Sequence, residues 1–136
     1  MSGALLQGML MNGLASPYLL GISAGSGLVI VFFISFGLLQ SFIPFAAWMG
    51  AILTTLIVFI LSKDGNKIVV ERLVLGGVAI SSLFGAIQAT LLLQVEDGRI
   101  QAALNWLIGS LNSRGWQEIN FAALPILISL FIGLFL

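Results

Sequence analysis

The first charged residue of the chain is Lys63, so residues 1–62 form one unbroken uncharged tract. Beyond it the charges fall into three clusters: Lys63, Asp64, Lys67, Glu71 and Arg72; then Glu96, Asp97 and Arg99; then Arg114 and Glu118. Between the clusters lie apolar stretches with no strand-like alternation. A bilayer core about 30 Å thick needs roughly 20 apolar residues wound as a helix. The uncharged tract is too long for one such helix and is divided by turn chemistry. Asn12-Gly13-Leu14-Ala15-Ser16-Pro17 is the first break and Gln40-Ser41-Phe42-Ile43-Pro44 the second, with Pro44 suited to the first turn of the next helix. The pattern predicts helical segments at 2–11, 18–39, 44–61, 73–94 and 119–136. Segment 2–11 covers only about half a bilayer at about 1.5 Å per residue. It reads either as a surface-lying or re-entrant start, or as the remainder of a longer helix.

One further helix is predicted between the last two segments. Ile100, Leu104, Leu107, Ile108 and Leu111 repeat at the spacing of a single helix face, with Gln101, Asn105 and Asn112 elsewhere around it. Trp106 and Trp116 suit a membrane–water boundary, where the ring is apolar and the N–H needs a partner. The expected fold is therefore all-α: a polytopic transmembrane bundle of about five hydrophobic helices plus one short amphipathic external helix, in a single domain over 1–136. That short helix serves as an anchor, or as a gate or docking element.

Composition sharpens this. Charged residues make up 7% of the chain and hydrophobic residues 60%, against roughly 25% charged in soluble domains. Lipid is the medium in which such a chain satisfies its surface, and backbone pairing inside lipid favours helices. Net charge is zero, which gives no electrostatic footprint for nucleic acid. The absence of Cys and His removes disulfides, thiolate metal sites and His-based triads. The carboxylates sit beside Lys or Arg in the charged clusters. Neither a catalytic, a metal nor a cofactor site is predicted, and the chain is not read as an enzyme. Lys63, Lys67 and Arg72 against Arg99 and Arg114 place the 62–72 loop in the cytoplasm and 95–118 outside, by the excess of positive residues in cytoplasmic loops.

Inside segment 73–94, Gly77, Ser81, Gly85 and Ala89 recur every fourth residue and share one face. Such a face is either a close-packing seam or the border of a passage. Gln88 and Thr90 lie at the same depth, where a polar side chain faces protein or a cavity. Gly21 and Gly25, with Ser23 and Gly27 one step round, make a second small-residue spacing, read as helix packing. No Walker-type G-x-x-x-x-G-K-[ST] run is present, so nucleotide binding by this chain is rejected.

Several blocks, in order along the chain, resemble one family. They are Ser2-Gly3-Ala4-Leu5-Leu6-Gln7-Gly8, Asn12-x-Leu14-Ala15-x-Pro17, Leu20-Gly21-Ile22-Ser23-x-Gly25 and Arg72-Leu73-Val74-Leu75-Gly76-Gly77-Val78-Ala79. The last is Ile100-Gln101-x-x-Leu104-x-Trp106-Leu107-x-Gly109-Ser110-Leu111, followed by Trp116. Together they resemble the FecCD-type permeases, the membrane subunits of ABC importers for iron–siderophore, haem and cobalamin. The resemblance implies helices two to six of about ten, a permease dimer partner, cytoplasmic ATPase subunits, a substrate-binding protein, and a multi-pass place in a bacterial plasma membrane surrounded by lipid. It favours the passage-facing reading of the Gly77, Ser81 and Gly85 face, leaves Gln88 as passage-facing or helix-packing, and implies a cytoplasmic gate region at Val70, Glu71 and Arg72. Ile100, Leu104, Trp106, Leu107 and Leu111 correspond to the external helix. Two departures stand out: Gly13 replaces the family's usual proline, and Val70 and Glu71 replace small polar residues. On this resemblance the chain is expected to be a partial permease, truncated at both ends and lacking the segment on which the ATPase acts. The alternative is a small membrane-embedded protein that packs against a partner through its small-residue faces and transports nothing itself.

Overall fold

The computed structural model describes residues 2–13, 16, 18, 20–38, 40–65, 67–95, 97–109 and 115–135. Among these, six α-helices follow one another: α1 (Ser2–Leu10), α2 (Ile22–Ser35), α3 (Ile43–Leu61), α4 (Val70–Leu92), α5 (Asp97–Ile108) and α6 (Trp116–Phe135). A 3-10 turn at Gln40–Phe42 leads into α3, and a two-stranded hairpin, β1 (Lys63–Asp64) and β2 (Lys67–Ile68), joins α3 to α4. By length and composition α3 and α4 can each cross a membrane. Shorter apolar helical runs lie at Ile22–Ser35 and Ala123–Leu134.

α3 starts where its sequence says it should, with Pro44 in the first turn, where no backbone donor is needed. It stops at Ser62, whose hydroxyl donates back to the Phe59 carbonyl at 2.7 Å. The chain then reverses through Gly65 (φ +60°), pairing Lys63 with Ile68 and Asp64 with Lys67 in antiparallel register. A non-glycine residue is disfavoured at that left-handed φ. The hairpin makes α3 and α4 antiparallel neighbours.

The expected span over 18–39 is a correction. α2 has only 14 residues and covers about 21 Å at 1.5 Å per residue, well short of a bilayer. Apolarity runs through the whole stretch, but the backbone does not. Gly21 adopts φ +74° immediately before the helix. At the other end Leu38 N–H bonds Phe33 O (2.9 Å) and Gly37 N–H bonds Ile34 O (3.1 Å), with Gly37 at φ +63°. This is a Schellman end, which satisfies the last carbonyls and terminates the helix. The expected helix at 100–111 likewise shifts, starting at Asp97 and ending at Ile108, before Gly109 at φ +84°.

Short as it is, α2 is the hub. Gly25, Gly27, Ile30, Val31 and Ile34 are all buried along it. Gly25 lies against Gly50 and Thr54 of α3, Gly21 against Gly77 and Ser81 of α4, and Gly27 against Gln88 of α4 and Leu107 of α5. These contacts set α3 and α5 antiparallel to α2, and α4 parallel to it. One apolar cluster joins Ile30, Val31, Ile34, Ile43 and Ala103; a second joins Leu20, Val58 and Leu73. The outward faces carry large exposed apolar side chains, among them Phe45, Trp48, Leu56, Leu75, Leu127 and Phe131. A monomeric water-soluble protein rarely exposes so much contiguous apolar surface.

Candidate passage and packing site

The small-residue face of α4 divides into two parts. In its first half, Gly77 is buried and Ser81 half-buried. A methyl added to Gly21 would meet Gly77 O and Ser81 Oγ, both at 3.2 Å, so backbones here approach as closely as glycine allows. Ser81 Oγ donates to Gly77 O at 2.8 Å, which keeps its hydroxyl satisfied within the helix. One turn on, Gly85 is exposed and a methyl added there would meet nothing within 4 Å. Gly77 and Ser81 therefore pack close to Gly21, whereas no described residue stands beside Gly85.

Gln88 closes the packed part. Its side-chain amide Nε2 donates to the Ala24 carbonyl of α2 at 2.9 Å, across 64 residues of sequence. Gly27 makes room for it: a methyl there would sit 3.4 Å from Gln88 Nε2 and 3.0 Å from Leu107 Cδ2. Ser81 thus bonds within α4 and Gln88 bonds across to α2, with the exposed Gly85 between them.

The region assigned to a cytoplasmic gate sits at the start of α4. Val70 is half-buried and Glu71 exposed. Glu71 lies in the first turn, where a carboxylate complements the helix dipole. Arg72 does not pair with Glu71. Its guanidinium reaches Asp64 Oδ1 at 3.4 Å and the Lys63 carbonyl at 3.5 Å, tying α4 to the hairpin. The Lys63 ammonium in turn lies 5.5 Å from the Phe59 ring centre.

On α5, the side that meets α2 is set by small residues that periodicity of large ones does not reveal. Ala103 is buried, with Ala102 and Trp106 packed around the same cluster. Ile100 and Leu104 are half-buried, Leu107 is exposed along one side of Gly27, and Ile108 is 82% exposed. Leu111 lies outside the described residues. Arg99, which sequence reasoning treated only as a loop charge, donates to the Ser35 carbonyl at 3.0 Å. Gly25, Gly50 and Thr54, which form the tightest contact between α2 and α3, were legible only in part, through the spacing of Gly21 and Gly25.

A different feature lies on the far side of α2. Val29, Phe33, Phe42, Phe45, Met49 and Leu53 line an open apolar recess of about 660 Å³ between α2 and α3. It holds no residue singled out from sequence.

All of the residues above fall within a match to the FecCD transport family that covers residues 1–136. The chain belongs to that family. Among curated FecCD-like relatives, it is 33% identical over 129 residues to the cobalamin import system permease BtuC of Halobacterium salinarum, covering 93% of this chain and 34% of the relative. It is 36% identical over 134 residues to the Fe(3+)-citrate import system permease YfmE of Bacillus subtilis, covering 96% of this chain and 39% of that one. To the hemin transport system permease HmuU of Yersinia pestis it is 34% identical over 139 residues, with 98% and 41% covered. Among solved structures, an inward-facing metal-chelate-type ABC transporter superposes with a TM-score of 0.82 at 26% identity, covering 93% of this chain and 40% of that one. The chain thus spans about two fifths of the length of the relatives it matches. The family and the all-helical membrane fold expected from sequence are borne out by these matches.

Proposed function

We propose that this chain forms part of the membrane-spanning permease of a bacterial ABC importer for iron–siderophore or related metal-chelate substrates. The observation that carries the proposal is the family match over all 136 residues, with a fold shared at a TM-score of 0.82. In the intact assembly it works beside a second permease subunit, cytoplasmic ATPases and a substrate-binding protein, in a multi-pass setting in the plasma membrane. Transport proceeds by alternating access, in which nucleotide binding by the ATPases favours one of two helix packings over the other. Within the chain, Gly85 on α4 supports a passage-facing role because it is exposed and no described residue lies within 4 Å of a methyl added there. Gly77 and Ser81, packed against Gly21, and Gln88, bonded to Ala24 O, hold α4 to the start of α2 on either side of it. Val70, Glu71 and Arg72 form the cytoplasmic end of the same helix, braced by Asp64.

The test is a chimera in which the matched two fifths of YfmE is replaced by this chain and expressed with the other components of that importer. Uptake of labelled ferric citrate, together with co-purification of the ATPase, is the expected result. A chimera that inserts in the membrane and binds the ATPase yet takes up no chelate would overturn the assignment of a passage to this chain.

A further inference from the structure

Lys63 stands apart from the other charges of the hairpin. In the two-stranded pairing, Asp64 lies opposite Lys67 and Lys63 lies opposite Ile68. Opposite residues share a face, and successive residues alternate between faces. The Asp64 face is therefore balanced: Lys67 stands across from the carboxylate, and the Arg72 guanidinium reaches it at 3.4 Å. The other face of the pairing carries Lys63 and Ile68, with no carboxylate. Lys63 forms no ion pair among the described residues. Its ammonium lies 5.5 Å from the centre of the Phe59 ring, within cation–π range.

The surroundings of that ammonium are apolar and open. Phe59, Ile60, Leu61 and Ile68 are all exposed. Phe59 follows Gly50 by about two and a half helical turns, so it faces away from the contact that Gly50 makes with α2. Ile52, also exposed, lies on the same side of α3 about two turns further in. The 19 residues of α3 span about 28 Å at 1.5 Å per residue, close to the hydrocarbon thickness of a bilayer, about 30 Å. Set across a bilayer, α3 brings Leu61 to the edge of the hydrocarbon and Lys63 to the level of the lipid phosphates. The Lys63 backbone is braced there, by Arg72 donating to its carbonyl at 3.5 Å and by Val69 N–H bonding Ser62 O at 3.1 Å.

We propose that Lys63, Phe59 and Ile68 form a binding site for an anionic phospholipid, with the phosphate on the Lys63 ammonium and an acyl chain running inward along Phe59 and Ile52. The ring covers one side of the ammonium and the phosphate takes the side left to solvent. A zwitterionic headgroup brings its own cation, which offsets the attraction; an anionic one does not. The inference needs only that α3 crosses the bilayer, and it holds whether or not the chain carries a solute.

In the test, the 136-residue chain in a non-ionic detergent is titrated with phosphatidylglycerol or with phosphatidylcholine of the same acyl chains, and bound lipid is counted by native mass spectrometry. The parent should bind phosphatidylglycerol about five-fold more tightly, the scale of one basic residue near an anionic lipid surface. Lys63→Gln should remove that preference and leave phosphatidylcholine binding unchanged, which also reports an intact fold. Lys67→Gln, on the balanced face, should keep the preference, as should Lys63→Arg. Excess inorganic phosphate should not displace the lipid, because it lacks the acyl contact. Equal affinity of the parent for the two lipids, a preference that survives Lys63→Gln, loss of both lipids in Lys63→Gln, an equal loss of preference in Lys67→Gln or Lys63→Arg, or displacement by inorganic phosphate would each overturn the site.

Discussion

The contact between α2 and α3 at Gly25 offers a direct test of how this bundle is held. A methyl added to Gly25 would overlap Thr54 Oγ1, lie 2.6 Å from Thr54 Cβ and lie 2.8 Å from the Gly50 carbonyl oxygen. The crossing is reciprocal: a methyl on Gly50 would lie 2.8 Å from Gly25 O and 2.7 Å from Val29 Cγ2. The Thr54 hydroxyl has little room to turn away, because it donates to Gly50 O at 2.8 Å and the side chain is 2% exposed. Two of the obstacles are backbone carbonyls, so the helices must move apart by several tenths of an ångström. Forcing a methylene into a packed interior costs about 1–3 kcal/mol. In lipid the added methyl recovers little by burial, because tails are as apolar as the core. Gly25→Ala should therefore destabilise the chain by about 2 kcal/mol despite alanine's better helix propensity. The assay is unfolding in mixed SDS micelles followed by far-UV circular dichroism. Adding Thr54→Ala should recover part of the loss while leaving the Gly50 carbonyl in the way, so a double-mutant cycle should give a favourable coupling of about 0.5–1.5 kcal/mol. Stability of Gly25→Ala equal to or above the parent, or strictly additive losses, would refute this account of the crossing.

Other outcomes follow from the same contacts. Gly85→Ala, facing open space in mid-helix, should stabilise the chain by about 0.5–1 kcal/mol in the same unfolding assay, whereas Gly85→Leu in the YfmE chimera should lower chelate uptake without lowering ATPase co-purification. Gln88→Met removes the bond to Ala24 O and should cost about 0.6 kcal/mol, the average for hydrogen bonds between membrane helices; a loss above about 2 kcal/mol would mean that Gln88 holds more than this one contact. Arg72→Ala breaks a pair whose side chains are 51% and 63% exposed, so its effect should stay below about 1 kcal/mol and vanish at high salt.

Much of this protein is written in the order of its residues. A 62-residue tract without a charge cannot fold in water as a monomer with that surface, and lipid permits only backbone that pairs with itself. Helices follow, and Pro44, the hairpin charges and the clusters at 63–72 and 96–99 set where α3 and α4 begin and end. The tertiary structure decided what identical letters mean. Gly25, Gly77 and Gly85 are the same residue in similar spacings, yet one faces a carbonyl of α3, one the glycine just before α2 and one no described residue. No local pattern distinguishes them, because the deciding atom belongs to another helix. Gly21 and Gly37 read as members of an apolar span until their positive φ angles shorten α2 to 14 residues. Arg99 reads as a loop charge until the fold brings the end of α2 to it from 64 residues away. Hydrophobic pattern fixes the medium and the helices, since both depend on near neighbours; close approach depends on what stands opposite, and only the packed chain supplies that.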